Sequence, residues 1–105
     1  MSERPVICRA GTDTPITWVN HAFERNTGYT SAEVVGRNPR FMHGAEIAQP
    51  ALEEIRRALR DSMPVVATVR NFRKDGSPFY NQVSIAPVCD DDGRLTHFIG
   101  IQHDV

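Results

Sequence analysis

Three carboxamide side chains in the second half of the 105-residue chain are spaced so that they can bind one ligand together. Asn71, Asn81 and Gln102 each share the period-two face of a predicted strand with apolar or small residues. A carboxamide offers a donor and an acceptor, and burying one without partners costs about 1–3 kcal/mol. The amides therefore predict either a network satisfied by one another, backbone or water, or a flat ligand with donors and acceptors along one edge. The residues expected to pack on the flat face of that ligand are Val83, Ile85 and Phe98.

Two hairpin turns predict that these amides are direct neighbours across the sheet. A turn centred on Gly76 places Asn71 opposite Asn81, and a turn centred between residues 91 and 92 places Asn81 opposite Gln102. A shift by one residue would move a whole strand to the other face, so this alignment depends on the assumed turn centres.

Two arginines near a helix start are candidates for binding an anionic part of the ligand. Asn38 followed by Pro39 is a favoured helix start, because proline at the first helical position lacks an N–H that would have no intrahelical partner. Arg40 lies in this first turn, and Arg56 lies at the edge of the apolar stripe of a long helix. Guanidinium groups suit phosphate, although each arginine taken alone is more typical of a solvated surface and no glycine-rich phosphate loop is present.

Five strands and several helices are predicted to position these residues. The strands are expected over 5–8, 15–19, 65–73, 79–88 and 95–104, with a turn at 11–13 between the first two. Short helices are expected over 20–44, including a capping box from Thr30 to Glu33, and one long helix over 49–62. This order predicts an α+β fold, with an antiparallel sheet and helices covering one face.

Composition limits the classes of function. The length fits one domain over residues 1–105, which we expect to be the core of a longer protein. A net charge of −1 without a basic stripe argues against nucleic acid, and short apolar runs argue against a membrane span. Two cysteines are too few for a disulfide framework, which favours a reducing cytoplasm. An enzyme is the least favoured class, because no acid pair, catalytic triad or metal cluster has usable spacing.

The segments that carry these residues resemble the light-oxygen-voltage (LOV) domains, a flavin-binding branch of the PAS superfamily. The resemblance covers nearly the whole chain and rests on PITWVNHAFERNTGY, GRNPRFMHG, NFRKDGSPFYNQVSIAPV and FIGIQHDV. It implies a PAS-like five-stranded antiparallel sheet enclosing FMN, with FAD or riboflavin as alternatives.

The resemblance also implies roles for individual residues. Asn71 and Asn81 match the amides at the isoalloxazine edge, and Gln102 matches the glutamine facing the reactive ring nitrogen. The remaining implied cofactor-binding residues are Asn38, Arg40 and Arg56 at the ribityl and phosphate groups, Val83, Ile85, Phe98 and Gly100 around the ring, and Cys8, Thr14, Pro39 and His43.

Three of these positions depart from the family pattern. Pro39 stands where the family has its photoactive cysteine, His43 where glutamine is usual, and Thr14 where asparagine is common. Proline offers no sulfur nucleophile, and nothing in the sequence places Cys8 or Cys89 over the ring. The resemblance therefore predicts a blue-light sensor module that forms no cysteinyl adduct. It should be fluorescent and photoreducible, and any signal should pass through flavin reduction and reorientation of Gln102.

Other interpretations of the same residues remain open. One is a PAS sensor or dimerisation module with no flavin or another ligand, and another is a haem-binding PAS domain that uses one of the four histidines. A homodimer or an adjoining effector domain is expected on the outer sheet face, because an apolar patch often marks a partner surface. The residues of that patch are Val66, Phe72, Tyr80, Ile99 and Ile101.

Overall fold

Five antiparallel strands in the order β2-β1-β5-β4-β3 form the sheet of this computed structural model, which describes residues 3–11 and 13–105. The strands are β1 (Arg4–Arg9), β2 (Ile16–Val19), β3 (Val65–Phe72), β4 (Pro78–Cys89) and β5 (Leu95–Asp104). The helices are α1 (His21–Thr27), α2 (Ser31–Val34), a 3₁₀ helix (Pro39–His43) and α3 (Pro50–Arg60). The predicted α+β fold is confirmed. Thr12, in the predicted turn at 11–13, lies outside the described residues.

The short helices begin where the sequence predicts them. The Thr30 hydroxyl accepts a hydrogen bond from the Glu33 N–H at 3.3 Å, and the Glu33 carboxylate accepts one from the Thr30 N–H at 2.9 Å. The predicted capping box is therefore confirmed. The Asn38 side chain accepts a hydrogen bond from the Arg40 N–H at 2.9 Å, with Pro39 at the first helical position. The turn that follows is a 3₁₀ helix.

The long helix begins at Pro50 because Gln49 is engaged elsewhere. The Gln49 amide donates to the Arg70 carbonyl at 2.9 Å and accepts from the Arg70 N–H at 2.7 Å. These two bonds satisfy backbone groups on β3, an edge strand that would otherwise present them unpaired. They also fix the start of α3 against the sheet.

The predicted strand alignment is wrong by two residues in each hairpin. Asn71 lies opposite Phe79, and Asn81 lies opposite Asp104. The first loop is closed by a hydrogen bond from Arg73 to Ser77, so its centre is one residue earlier than predicted. The second hairpin has a β-bulge between Val88 and Cys89, which adds one residue to the offset. Because both errors are even, the three amides keep their predicted face. Phe72, which was predicted on the outer face, instead has its ring close to Gly44.

Two apolar clusters pack the helices onto the inner face of the sheet. The residues of the first are Val6, Ile16, Val19, Phe23, Val34, Met42 and Phe79. The residues of the second are Leu52, Val69 and Val83, with Ala51, Ile55 and Ile85 beside them. No helix within residues 3–11 and 13–105 is long and apolar enough to cross a membrane.

Replacing Gly44 tests the contact between the 3₁₀ helix and β3. Gly44 has φ 57° and ψ −131°, and a Cβ there would lie 2.9 Å from a ring carbon of Phe72. We expect Gly44→Ala to lower the free energy of unfolding by about 2–4 kcal/mol in urea titrations, from backbone strain and steric overlap together.

Gly93→Ala is the control, because Gly93 also has a positive φ of 81° but has no atom within 4 Å of its Cβ position. Its cost should be about 1–2 kcal/mol. Equal costs for the two variants would mean that the Phe72 contact adds nothing.

Candidate functional site

A cavity of about 620 Å³ lies between the helices and the inner face of the sheet. This volume falls within the roughly 300–1,000 Å³ of pockets that hold small molecules. The predicted site residues that line it are Cys8, Thr14, Asn38, Pro39, Arg40, His43, Arg56, Asn71, Val83, Ile85, Phe98, Gly100 and Gln102. The structure thus brings together residues from both ends of the chain around one space.

Asn81 is the predicted site residue that does not line the cavity. It is fully buried on β4, between the strands that carry Asn71 and Gln102. The two-residue register shifts turn the predicted straight row into a diagonal one, since Gln102 lies opposite Val83 and Asn71 opposite Phe79. Diagonal neighbours on one sheet face lie about 7–8 Å apart, so the three amides form one polar group on the inner face of the sheet.

The hydrogen bonds of the three amides leave two fully buried polar atoms without partners among the described residues. No hydrogen bond between described residues joins any two of them. The Asn71 oxygen contacts His43 Nδ1 at 3.0 Å, and the Asn81 oxygen accepts from Arg4 Nη2 at 3.3 Å. Asn81 Nδ2 and Gln102 Oε1 are buried and have no partner among the described residues. A donor and an acceptor are therefore free in this part of the site.

His43 is partly buried in the cavity wall, and its surroundings shift the pKa of its imidazole. Burial lowers the pKa of its imidazole below the ordinary value of 6.5, the Asn71 hydrogen bond opposes this, and nearby Arg56 lowers it further. An amide oxygen only accepts hydrogen bonds, so His43 Nδ1 carries the proton in this contact. The neutral ring then keeps Nε2 as an acceptor.

The two predicted arginines stand at the cavity with solvated carboxylate partners. Arg40 pairs with Asp13 at 3.0 Å and Arg56 with Glu53 at 2.8 Å, and all four side chains are more than half exposed. Such exposed pairs contribute only about 0–1 kcal/mol. Little free energy therefore opposes the exchange of either carboxylate for a ligand anion.

Three further predicted residues line the cavity: Pro39 on the 3₁₀ helix, Cys8 on β1, and Thr14 between β1 and β2. Pro39 contributes a saturated ring without a nucleophilic atom. Cys8 also lines the cavity, and burial raises the pKa of its thiol to about 11, so it is protonated at neutral pH. Thr14 receives a 3.2 Å hydrogen bond from the Asn38 side chain and has φ 44°, which is unusual for a β-branched residue.

The sequence did not predict a role for Arg4 in the site, nor most of the apolar residues that line the cavity. Arg4 is 2% exposed and lies opposite Gln102 on the neighbouring strand. Its place in the row with Val6 and Cys8 was a usable signal, because alternate residues of a strand share a face. Arg4 itself is not among the lining residues. The unpredicted lining residues are Val6, Gly11, Met42, Leu52, Ile55, Leu59, Arg60, Ser62, Val69 and Leu95.

A profile of the PAS domain matches residues 4–105. The chain belongs to the PAS domain family. It is 44% identical over 91 residues to phototropin-1A of Oryza sativa subsp. japonica, covering 87% of this chain and 10% of that protein. The PAS chain spans about a tenth of the length of this relative.

Solved LOV domains share the fold of this PAS chain. The LOV domain of a blue-light activated histidine kinase from Erythrobacter litoralis has a TM-score of 0.91 and 37% identity, covering 100% of this chain and 97% of that one. A LOV domain whose mechanism was probed with a flavin analogue has a TM-score of 0.92 and 36% identity, covering 98% of this chain and 77% of that one. The predicted PAS/LOV fold is confirmed.

One of the four histidines is placed in the cavity wall. His43 lines the cavity and is bonded to Asn71, whereas the other three histidines, all described, are not among the lining residues. Within residues 3–11 and 13–105, no group of three or more His, Cys, Asp or Glu side chains is placed to hold a metal ion.

The His43 environment predicts a pH dependence of stability without added ligand. A pKa lowered in the folded state means that the unfolded chain binds the proton more readily, so stability falls as pH drops below about 6.5. We expect thermal unfolding to show a larger loss between pH 7.5 and 5.5 for the wild type than for His43→Gln. The control is His97→Gln, on β5 outside the cavity, which should lose as much as the wild type. A His43→Gln profile that matches the wild type would contradict the assignment.

Proposed function

We propose that this chain is a flavin-binding, LOV-type blue-light sensor module whose light chemistry proceeds without a cysteinyl adduct. The observation that carries the proposal is the inner sheet face, where Gln102 in the cavity wall has an unpartnered buried acceptor and Asn81 on the neighbouring strand has an unpartnered buried donor. The edge of an isoalloxazine ring presents carbonyl and N–H groups that complement such amides. The LOV domains that share the fold support the same assignment.

The residues present fit each part of FMN. Val83, Ile85 and Phe98 offer apolar surface to a flat ring, and a Cβ on Gly100 would lie 3.7–3.9 Å from its neighbours, so the glycine leaves that volume open. Arg40 and Arg56 are free to exchange their solvated carboxylates for a phosphate. The two arginines favour FMN over riboflavin, because riboflavin lacks the phosphate.

Pro39 removes the reactive group from the proposed light chemistry. Bound flavin would absorb blue light and accept an electron. The one thiol among the lining residues, Cys8, stays protonated because its pKa is raised to about 11, and a thiol attacks as its thiolate. We therefore infer that excitation leads to fluorescence and, when an aromatic side chain or an added reductant donates an electron and water supplies the proton, to photoreduction.

Gln102 is the residue through which such a change would reach the sheet. Its buried Oε1 has no partner among the described residues, and its strand lies in the centre of the sheet. Reduction would add a proton where the oxidised ring has an acceptor. The Gln102 carboxamide could then rotate, so that its oxygen and not its NH₂ group faces the ring. This rotation would alter the β5 contacts.

The module would act on a partner through the outer face of the sheet. Val66 and Tyr80 are 62% and 57% exposed there, and Ile99 and Ile101 are half-buried. Phe72 belongs instead to the β3 edge, where its ring lies close to Gly44. The relatives that contain this domain are much longer, so we infer a second copy or an effector domain of a longer cytoplasmic protein as the partner.

Cofactor release tests the proposed function. We expect the purified protein to be yellow with structured blue absorption, and chromatography of the released cofactor to identify FMN. Under blue light without oxygen, the wild type should show strong fluorescence and photoreduction. A colourless protein that takes up no flavin would support the PAS module without flavin, and a red protein would support haem.

Two variants separate the photochemical steps. Pro39→Cys should lose fluorescence and bleach reversibly in the light, because a thiol then stands at the position of the photoactive cysteine of LOV domains. Gln102→Leu should retain photoreduction but show a smaller light-induced change in infrared backbone bands. Reversible adduct-type bleaching in the wild type would refute the role of Pro39, and an undiminished change in Gln102→Leu would refute the role of Gln102.

A further inference from the structure

A buried arginine lies behind the amides of the cavity. Arg4 Nη2 donates to the Asn81 oxygen at 3.3 Å and to the Asp104 carboxylate at 2.8 Å. Its side chain is 3% exposed, and its guanidinium carbon lies 5.9 Å from the centroid of the Phe79 ring. A cation this far from water is tolerated only with a counter-charge, which Asp104 supplies.

The neighbours of Asp104 hold Arg4 in this position. Asn26 donates to the second carboxylate oxygen at 3.1 Å, and Arg73 lies 3.8 Å from that same oxygen. Asp104 is therefore fixed from two sides, and Arg4 is tied to it from β1. A swing of Arg4 away from Asn81 would leave a carboxylate and a guanidinium apart in a largely buried region, which is costly.

The guanidinium determines which end of the Asn81 amide is available. Guanidinium nitrogens only donate hydrogen bonds, so the atom of Asn81 that faces Arg4 must be the carbonyl oxygen. The Nδ2 group is then the free end, and it has no partner among the described residues. Without Arg4, the amide could equally present its oxygen.

We propose that Arg4 is a positioning residue that fixes Asn81 as a hydrogen-bond donor to the ligand. Resting on the proposed flavin function, this means that Asn81 recognises a ring carbonyl oxygen and not the ring N–H. The Arg4 side chain would not touch the flavin in this role. It would set the order of donors and acceptors that the sheet presents to the ring edge.

Two matched arginine variants test the proposal in the purified protein. Arg4→Gln replaces a side chain that only donates with one that can donate or accept, so Asn81 is free to invert. Arg73→Gln is the control, because Arg73 also contacts Asp104 and the Phe79 ring, at 4.5 Å, but makes no hydrogen bond to Asn81. Arg4→Lys restores a residue that only donates and serves as the rescue.

The readouts are FMN affinity and the infrared bands of FMN labelled with ¹³C at its ring carbonyl positions. Arg4→Gln should bind FMN about tenfold more weakly, with one labelled carbonyl band moved to higher frequency as a hydrogen bond is lost. Arg73→Gln should stay within about twofold of wild type, and Arg4→Lys should recover most of the affinity. Equal affinities and unchanged bands in Arg4→Gln and Arg73→Gln would overturn the proposal.

Asn81→Asp decides the question if Arg4→Gln does not fold. A carboxylate has the shape of the amide and pairs with Arg4, but it has no N–H to offer the ligand. We expect FMN affinity to fall at least tenfold while the melting temperature without flavin does not decrease. Wild-type affinity in Asn81→Asp would overturn the role of Asn81 as a donor. A wild-type protein that takes up no flavin would instead refute the proposed function itself.

Discussion

Buried carboxamides on an apolar sheet face are the constraint on which the other features of this molecule depend. Each hydrogen-bonding atom left unpaired in such a place costs about 1–3 kcal/mol. Asn71 is satisfied by His43 and Asn81 by Arg4, each on one side of its amide. The amide nitrogens of both residues make no hydrogen bond among the described residues, so a ligand with a polar edge could pair with them. That unfilled capacity makes a ligand-binding role more convincing than a purely structural one.

The face of each strand residue was predictable, whereas its partner across the sheet was not. Period-two alternation is a property of the backbone, and it assigned the three amides and their apolar rows to the inner face correctly. The partner depends on loop length and bulges. Gly76 and Gly93, with φ of 89° and 81°, close loops of three residues, and the bulge at Val88 adds a further offset. These features shift the alignment by an even number, which is why the predicted face survives the wrong register.

The unpredicted parts of the site depend on contacts between distant segments. Arg4 and Asp104 are 100 residues apart and meet because β1 and β5 are neighbours in the sheet. Gln49 occupies backbone groups of Arg70, which no local helix signal could indicate. Helix propensity and capping describe a few adjacent residues, so they located the starts at Thr30 and Asn38 and said nothing of these pairs. A buried charge, in particular, is visible only once its partner is placed.

Pro39 and the three amides lie on different elements, the 3₁₀ helix and the sheet. Residue 39 lies at the start of a 3₁₀ helix, where proline costs no hydrogen bond, and the Asn38 side chain caps the Arg40 N–H. The amides lie on three strands of the sheet, and the hydrogen bonds to them come from Arg4 and His43. Pro39 makes none of these hydrogen bonds, although it shares its 3₁₀ helix with His43. In the proposed function, residue 39 would face the flavin from the helical side and the amides would hold it from the sheet, so flavin binding would be compatible with the absence of a thiol reaction.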